Sequence, residues 1–100
     1  MNADSRRFEK SVRYLLLATS GGPMRARIIG ELLAGSKNTN QLSQSLGVDY
    51  KTVAHHLGVL LKMNWATRGG EKYAELYSLT FTGNERSAML AVIGGLGKKL

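Results

Sequence analysis

The chain contains no cysteine, which excludes a disulfide framework, a thiolate metal site and a nucleophilic thiol, and suits an intracellular protein. No apolar run approaches the ~20 residues needed to span a bilayer. The N-terminal segment is charged (Asp4, Arg6, Arg7, Glu9, Lys10) with no cleavable apolar stretch behind it, so no secretion signal is expected. These absences together predict a cytoplasmic chain. Acidic residues are scarce, seven against fourteen lysines and arginines, and most stand near helix starts or turns where capping accounts for them. No paired carboxylates share a face, no glycine loop suits phosphate, and no nucleophile has a base beside it, so an enzyme is the least favoured reading and no cofactor is expected. No internal repeat and no linker interrupts the chain, which predicts one domain over residues 1–100.

What is present narrows the class further. A chain of 100 residues can bury roughly 60–70% of the surface its unfolded form exposes, enough for a single core. An apolar share of 43% argues against disorder. The formal net charge of +7, with a pI near 10.1, favours polyanionic partners such as nucleic acid or an acidic membrane surface.

Periodicity and punctuation predict the elements. Phe8, Val12, Leu15, Leu16 and Thr19 recur at helical spacing, giving a helix from Asp4 or Ser5 to about Thr19. Ser20-Gly21-Gly22 breaks it, and the lone proline, Pro23, suits the first position of a second helix reaching Ala34, with Ile28, Ile29, Leu32 and Leu33 on its core face. Asn38 and Gln41 have capping-box spacing for a third helix, and Gly47 supplies the left-handed residue of a tight turn. Asp49 caps a fourth helix over Tyr50–Met63, and Asn64 suits its left-handed stop. Trp65–Arg68 and Tyr73–Leu79 read as strands joined through Gly69-Gly70. Thr82-Gly83-Asn84-Glu85 opens a last helix. The order is H-H-H-H-E-E-H: mainly α with a small β-hairpin, a winged helix-turn-helix.

The third and fourth helices form the kind of pair that puts a helix into the DNA major groove. On a helical wheel Leu57, Leu60 and Leu61 cluster around Val53, while Lys51, His55 and Lys62 lie on the far side, flanked by Thr52, Gly58 and Val59. Lysine donates to guanine O6 and N7, threonine donates or accepts, and valine or alanine meets the thymine methyl. Gly58 permits close approach of the duplex. The blander reading, a solvated face of an amphipathic helix, fits the wheel equally well. His56 falls at the core boundary and reads as a packing residue. Adjacent histidines diverge by about 100° on a helix, and no carboxylate or thiol is close in sequence to complete a set, so no metal site is expected.

Arg68 and Lys72 bracket the Gly-Gly turn and read as a basic wing tip that lies on the DNA backbone or enters the minor groove, with Glu71 diluting the charge. Arg25 and Arg27 can meet phosphates or local carboxylates. Arg6, Arg7, Lys10 and Arg13 read as a solvated helix face with a general electrostatic role.

With these residues in hand, the chain resembles the ArsR-type winged helix-turn-helix transcription regulators over roughly Leu15 to Thr80. Pro23-Met24-Arg25-Ala26-Arg27-Ile28-Ile29 is similar to the family's P-x-R-x-R-I-L opening, and Gln41–Val48 to its E-L-A-x-x-L-G-[LV] helix and turn. Thr52–Leu60 resembles its T-V-S-x-H-L-x-V-L recognition helix, and Leu76–Thr80 the end of its wing, Y-Y-S-L-T. The resemblance implies a prokaryotic, symmetric homodimer built on the terminal helices, with recognition helices in successive major grooves and Lys51, Thr52, Ala54 and His55 facing DNA. Joined with the residues read directly, the candidate DNA-binding set is Tyr50, Lys51, Thr52, Ala54, His55, Val59, Lys62, Arg68 and Lys72. Three departures stand out: Ala54 replaces a serine, Gly58 a frequent basic residue, and Gly22 the aspartate that caps before Pro23. Metal sensors of that family use cysteines or His and carboxylate clusters on the terminal helices. Here cysteine is absent and both histidines lie in the recognition helix, so the resemblance extends to DNA binding and not to metal sensing, and a small-molecule effector is not visible.

The leading function is thus a sequence-specific, homodimeric regulator of transcription on double-stranded DNA. The alternatives are a winged-helix module for protein–protein assembly and a non-specific architectural DNA binder. A membrane-surface role for the last helix, where Met89–Ile93 runs towards Lys98-Lys99, ranks below a dimer helix with a charged tail.

Overall fold

The computed structural model describes residues 3–70 and 75–99. The elements follow the order α1 (Ala3–Leu17), α2 (Gly22–Ala34), α3 (Thr39–Leu46), α4 (Tyr50–Lys62), β1 (Ala66–Gly69), β2 (Leu76–Leu79) and α5 (Gly83–Lys99). This is the H-H-H-H-E-E-H order of a winged helix-turn-helix. The chain forms two compact units, one from the described residues up to Ala26 and from Phe81 onward, the other from Arg27–Thr80.

In the first unit α1 packs along α5. Val12, Leu16, Phe81, Met89 and Val92 are buried, and the rings of Phe8 and Phe81 meet edge to face at 5.1 Å. Leu15 and Thr19, expected on the same face, are half-buried, and α1 stops two residues before Thr19. The turn into α2 is tight. A Cβ built on Gly22 would stand 2.2 Å from the carbonyl oxygen of Leu16, so only glycine fits there. That explains the missing aspartate before Pro23: a side chain at this position would collide with the backbone at the end of α1.

The second unit holds the rest of α2, the helix pair and the hairpin. Ile28, Ile29, Leu32, Leu42, Val53, Leu57, Leu60, Trp65, Ala66 and Tyr77 are its buried apolar residues. Burying a side chain of this size stabilises by about 1.5–3 kcal/mol, so helical spacing of Leu and Ile fixes which face of each helix turns inward. β1 and β2 pair antiparallel with Ala66 opposite Leu79 and Gly69 opposite Leu76. The second strand is described over Leu76–Leu79, while Tyr73 and Ala74 of the expected strand lie outside the described residues; the first strand begins at Ala66, not Trp65. Since Gly69 is itself a ladder residue opposite Leu76, Gly69-Gly70 is not a two-residue hairpin turn. On its other side β2 gains a partner that its sequence did not suggest. Tyr77 donates its N–H to the Lys37 carbonyl at 2.9 Å and accepts from Lys37 N–H at 3.2 Å.

Candidate nucleic-acid interface

The pair α3–α4 is fixed at all four of its ends. Asn38 Oδ1 accepts from Gln41 N–H at 2.7 Å while Asn38 N–H donates to Gln41 Oε1 at 2.8 Å, closing the capping box. Gly47, at φ 66°, ends α3, and Val48 N–H reaches back to the Ser43 carbonyl at 3.1 Å. The Ser43 hydroxyl in turn donates to the Val48 carbonyl. Asp49 then caps α4, its Oδ2 accepting from Thr52 N–H at 3.0 Å and its Oδ1 from the Thr52 hydroxyl at 2.7 Å. Those bonds, the hydroxyl's first and the backbone N–H next, hold the Asp49 carboxyl below its usual range. At the far end Asn64 adopts φ 60° and Trp65 N–H donates to the Leu60 carbonyl at 3.0 Å, the left-handed stop that Asn tolerates.

With both ends fixed, α4 turns Val53, His56, Leu57 and Leu60 inward. Tyr50 is 58% exposed, and Lys51, Ala54, His55 and Lys62 are exposed as well. Thr52 and Val59 are half-buried. Because the Thr52 hydroxyl gives its proton to Asp49, it faces outward as an acceptor, narrower than the donor-or-acceptor role its chemistry allows. The two imidazoles part as the wheel requires: His55 is exposed, His56 is buried, and their rings meet edge to face at 5.2 Å. The outward side of α4 thus presents two cations, an imidazole, a phenol and a methyl along one helix.

Arg68 is exposed, but a guanidinium nitrogen lies 4.0 Å from the Glu75 carboxylate, which offsets its charge. Lys72, with Glu71, lies outside the described residues. Each of the two arginines after Pro23 bonds to oxygens of this chain. Arg25 is buried, donating from Nη2 to the Thr19 hydroxyl at 2.6 Å, with the Leu15 carbonyl at 3.5 Å. Arg27 is exposed yet gives Nη2 to the Leu46 carbonyl at 2.9 Å. On α1, Arg13 pairs with Glu9 at 3.0 Å, and Arg6, Arg7 and Lys10 are exposed.

Sequence reasoning passed over Lys37. Its backbone extends the hairpin, and its Nζ donates to the Glu31 carbonyl near the end of α2 at 2.7 Å. One extended residue between two helices carries no periodic signal. Ser36 and Ser78 hydroxyls, 2.6 Å apart, join the same two segments.

Residues 9–95 match the family model of the N-terminal domain of the methanogenesis regulatory protein FilR1. The chain belongs to the FilR1 N-terminal domain family. No curated protein matches it in sequence. Among solved structures this FilR1-type domain is similar to the transcriptional repressor BigR from Xylella fastidiosa, at 23% identity over 97% of this chain and 96% of that one, with a TM-score of 0.67. A structure described as a probable transcriptional regulator from Pseudomonas aeruginosa has the same TM-score at 17% identity, covering 96% of this chain and 76% of that one. The homodimeric winged helix-turn-helix DNA-binding domain of Mb0332 from Mycobacterium bovis, a possible ArsR-family transcriptional regulator, follows at 12% identity and a TM-score of 0.59, with 96% and 81% covered. At these identities the likeness is one of fold. The ArsR-type resemblance of the FilR1-type domain therefore holds for its winged helix-turn-helix architecture, and no described helix is long and apolar enough to cross a membrane.

Proposed function

We propose that the chain is a homodimeric regulator of transcription that binds specific double-stranded DNA, with α4 in the major groove and the hairpin on the backbone or in the minor groove. The observation that carries the reading is the outward side of α4. Lys51, Ala54, His55 and Lys62 are exposed on a helix whose other side is locked into the core and whose first turn is capped. A helix so held loses little freedom on docking, and its cations supply the sequence-independent part of affinity. The family and the fold neighbours, whose names are those of regulators, support the same reading. The terminal helices α1 and α5 are the proposed dimer surface, with Tyr14, Leu17 and Leu90 its exposed large apolar residues.

Selection of bound sequences from a random duplex library tests it. An inverted repeat with half-sites about one helical turn apart, bound with log K falling by about 0.9 per phosphate neutralised, is the expected result. Absence of salt-dependent duplex binding at low ionic strength defeats the proposal. Equal affinity for all sequences reduces it to non-specific binding.

A further inference from the structure

α4 carries a glycine in its interior, where glycine is a poor helix former. Some other glycines of this chain have an internal reason, whereas Gly69, Gly94 and Gly95 are as unconstrained as Gly58. Gly22 stands where a Cβ would meet the α1 backbone, and Gly47 has a left-handed φ of 66°. Gly58 has neither: a Cβ built there meets nothing within 4 Å, and its φ lies outside the left-handed range. Alanine would fit and would hold the helix better, so neither packing nor backbone conformation selects the glycine.

Its surroundings are informative. Gly58 follows Ala54 by one helical turn and precedes Lys62 by another, with Lys51 two turns before it and His55 three residues before it. Ala54, His55, Lys51 and Lys62 are all exposed. Exposed Ala54 and half-buried Gly58 thus leave a stretch of small residues on the helix surface, with a cation towards each end. Those cations stand about 16 Å apart along the axis, from eleven residues at ~1.5 Å each.

We propose that Gly58 is a close-approach residue of the DNA-binding face: its missing side chain lets the α4 backbone settle against the duplex so that Lys51, His55 and Lys62 reach it together. The inference rests on the proposed DNA-binding reading and deepens it by assigning a positioning role. A side chain at residue 58 holds the helix away from the groove, and every flanking contact lengthens together.

The test measures thermal stability and duplex affinity side by side for the wild type, Gly58→Ala and Gly58→Leu, on a duplex selected by the wild type. Gly58→Ala is expected to raise Tm by about 4–8 °C through helix propensity. The same variant should weaken affinity about tenfold, the scale of one good base contact, and Gly58→Leu should weaken it further without falling below the wild type in Tm. Unchanged affinity in both variants overturns the inference and leaves the DNA-binding reading intact. Equal losses in both also overturn it, since they make helix softness the cause and not side-chain volume. A wild type that binds no duplex overturns the reading and the inference together.

Discussion

Arg27 donates from Nη2 to the main-chain carbonyl of Leu46, 2.9 Å away, so a side chain from α2 caps the last turn of α3. Two residues earlier, Arg25 does the corresponding work for α1, through the Thr19 hydroxyl and the Leu15 carbonyl. Both guanidiniums thus sit at helix C-termini, where carbonyls lack partners and the helix dipole favours a cation. The paired arginines after Pro23 are structural clamps. Arg27→Ala should cost about 0.5–1.5 kcal/mol of stability, read as a Tm lowered by several degrees. It should leave the salt dependence of duplex binding unchanged, because its guanidinium is held at the Leu46 carbonyl and not on a phosphate.

Gly22→Ala tests the tightness of the α1–α2 turn. The added methyl would press on the backbone of Leu16, which cannot swing aside as a flexible side chain would. A loss of about 1–3 kcal/mol in urea unfolding is the expected outcome. A neutral effect would mean that the turn relaxes freely.

Asp49 gives α4 an acid-sensitive start. Its carboxyl is held below the usual range by bonds that only the folded state makes, so its stabilising effect is present above the unfolded carboxylate pKa of about 3.9. That effect drains away as pH falls through the lower, folded value. Stability of the wild type should therefore decline more steeply on the acid side than that of Asp49→Ala, which lacks the cap and starts lower at neutral pH. Asp49→Asn, which keeps an acceptor without the charge, should flatten the acid limb while staying near the wild type at pH 7. Tm measured from pH 2.5 to 7 separates the three curves.

Lys51→Ala and Lys62→Ala should each reduce the slope of log K against log salt by up to about 0.9 where the lost cation met a phosphate. Where the lysine reads a base, sequence preference should relax instead. Arg68→Ala should change the slope less than either, because Glu75 already offsets that charge. Titrations at four salt concentrations on the selected duplex and on one with altered half-sites decide among them. Unchanged slopes together with unchanged sequence preference in both lysine variants would remove α4 from the interface.

Features whose partners lie within a few residues could be read from the chain alone. Asn38 with Gln41, Gly47, Asp49 with Thr52 and Asn64 all act over less than two helical turns, and each stands where its local chemistry placed it. Helix spacing likewise gave Val53, Leu57 and Leu60 as core against Lys51, His55 and Lys62 as surface. What stayed hidden depends on distant partners. Arg25 and Arg27 alternate on α2, and only the folded chain shows that each finds a carbonyl of another helix. Gly69-Gly70 looked like a turn because the pair suits one, but Tyr77 and Leu76 set the register and draw Gly69 into the ladder. The single extended residue Lys37 has no pattern of its own, and its role emerges from Tyr77 on the opposite segment.

That last pairing also bears on how the molecule behaves when concentrated. With Arg68 across from Tyr77 on one side and Lys37 bonded to its main chain on the other, β2 runs through the middle of the ribbon at that residue and offers no bare flank there. A stray strand seeking a template must take the outer rim of β1 instead, where Thr67 and Arg68 point into solvent and charge discourages stacking. Breaking the Lys37 seam would bare the main chain of β2 at Tyr77 and open a second edge to such pairing.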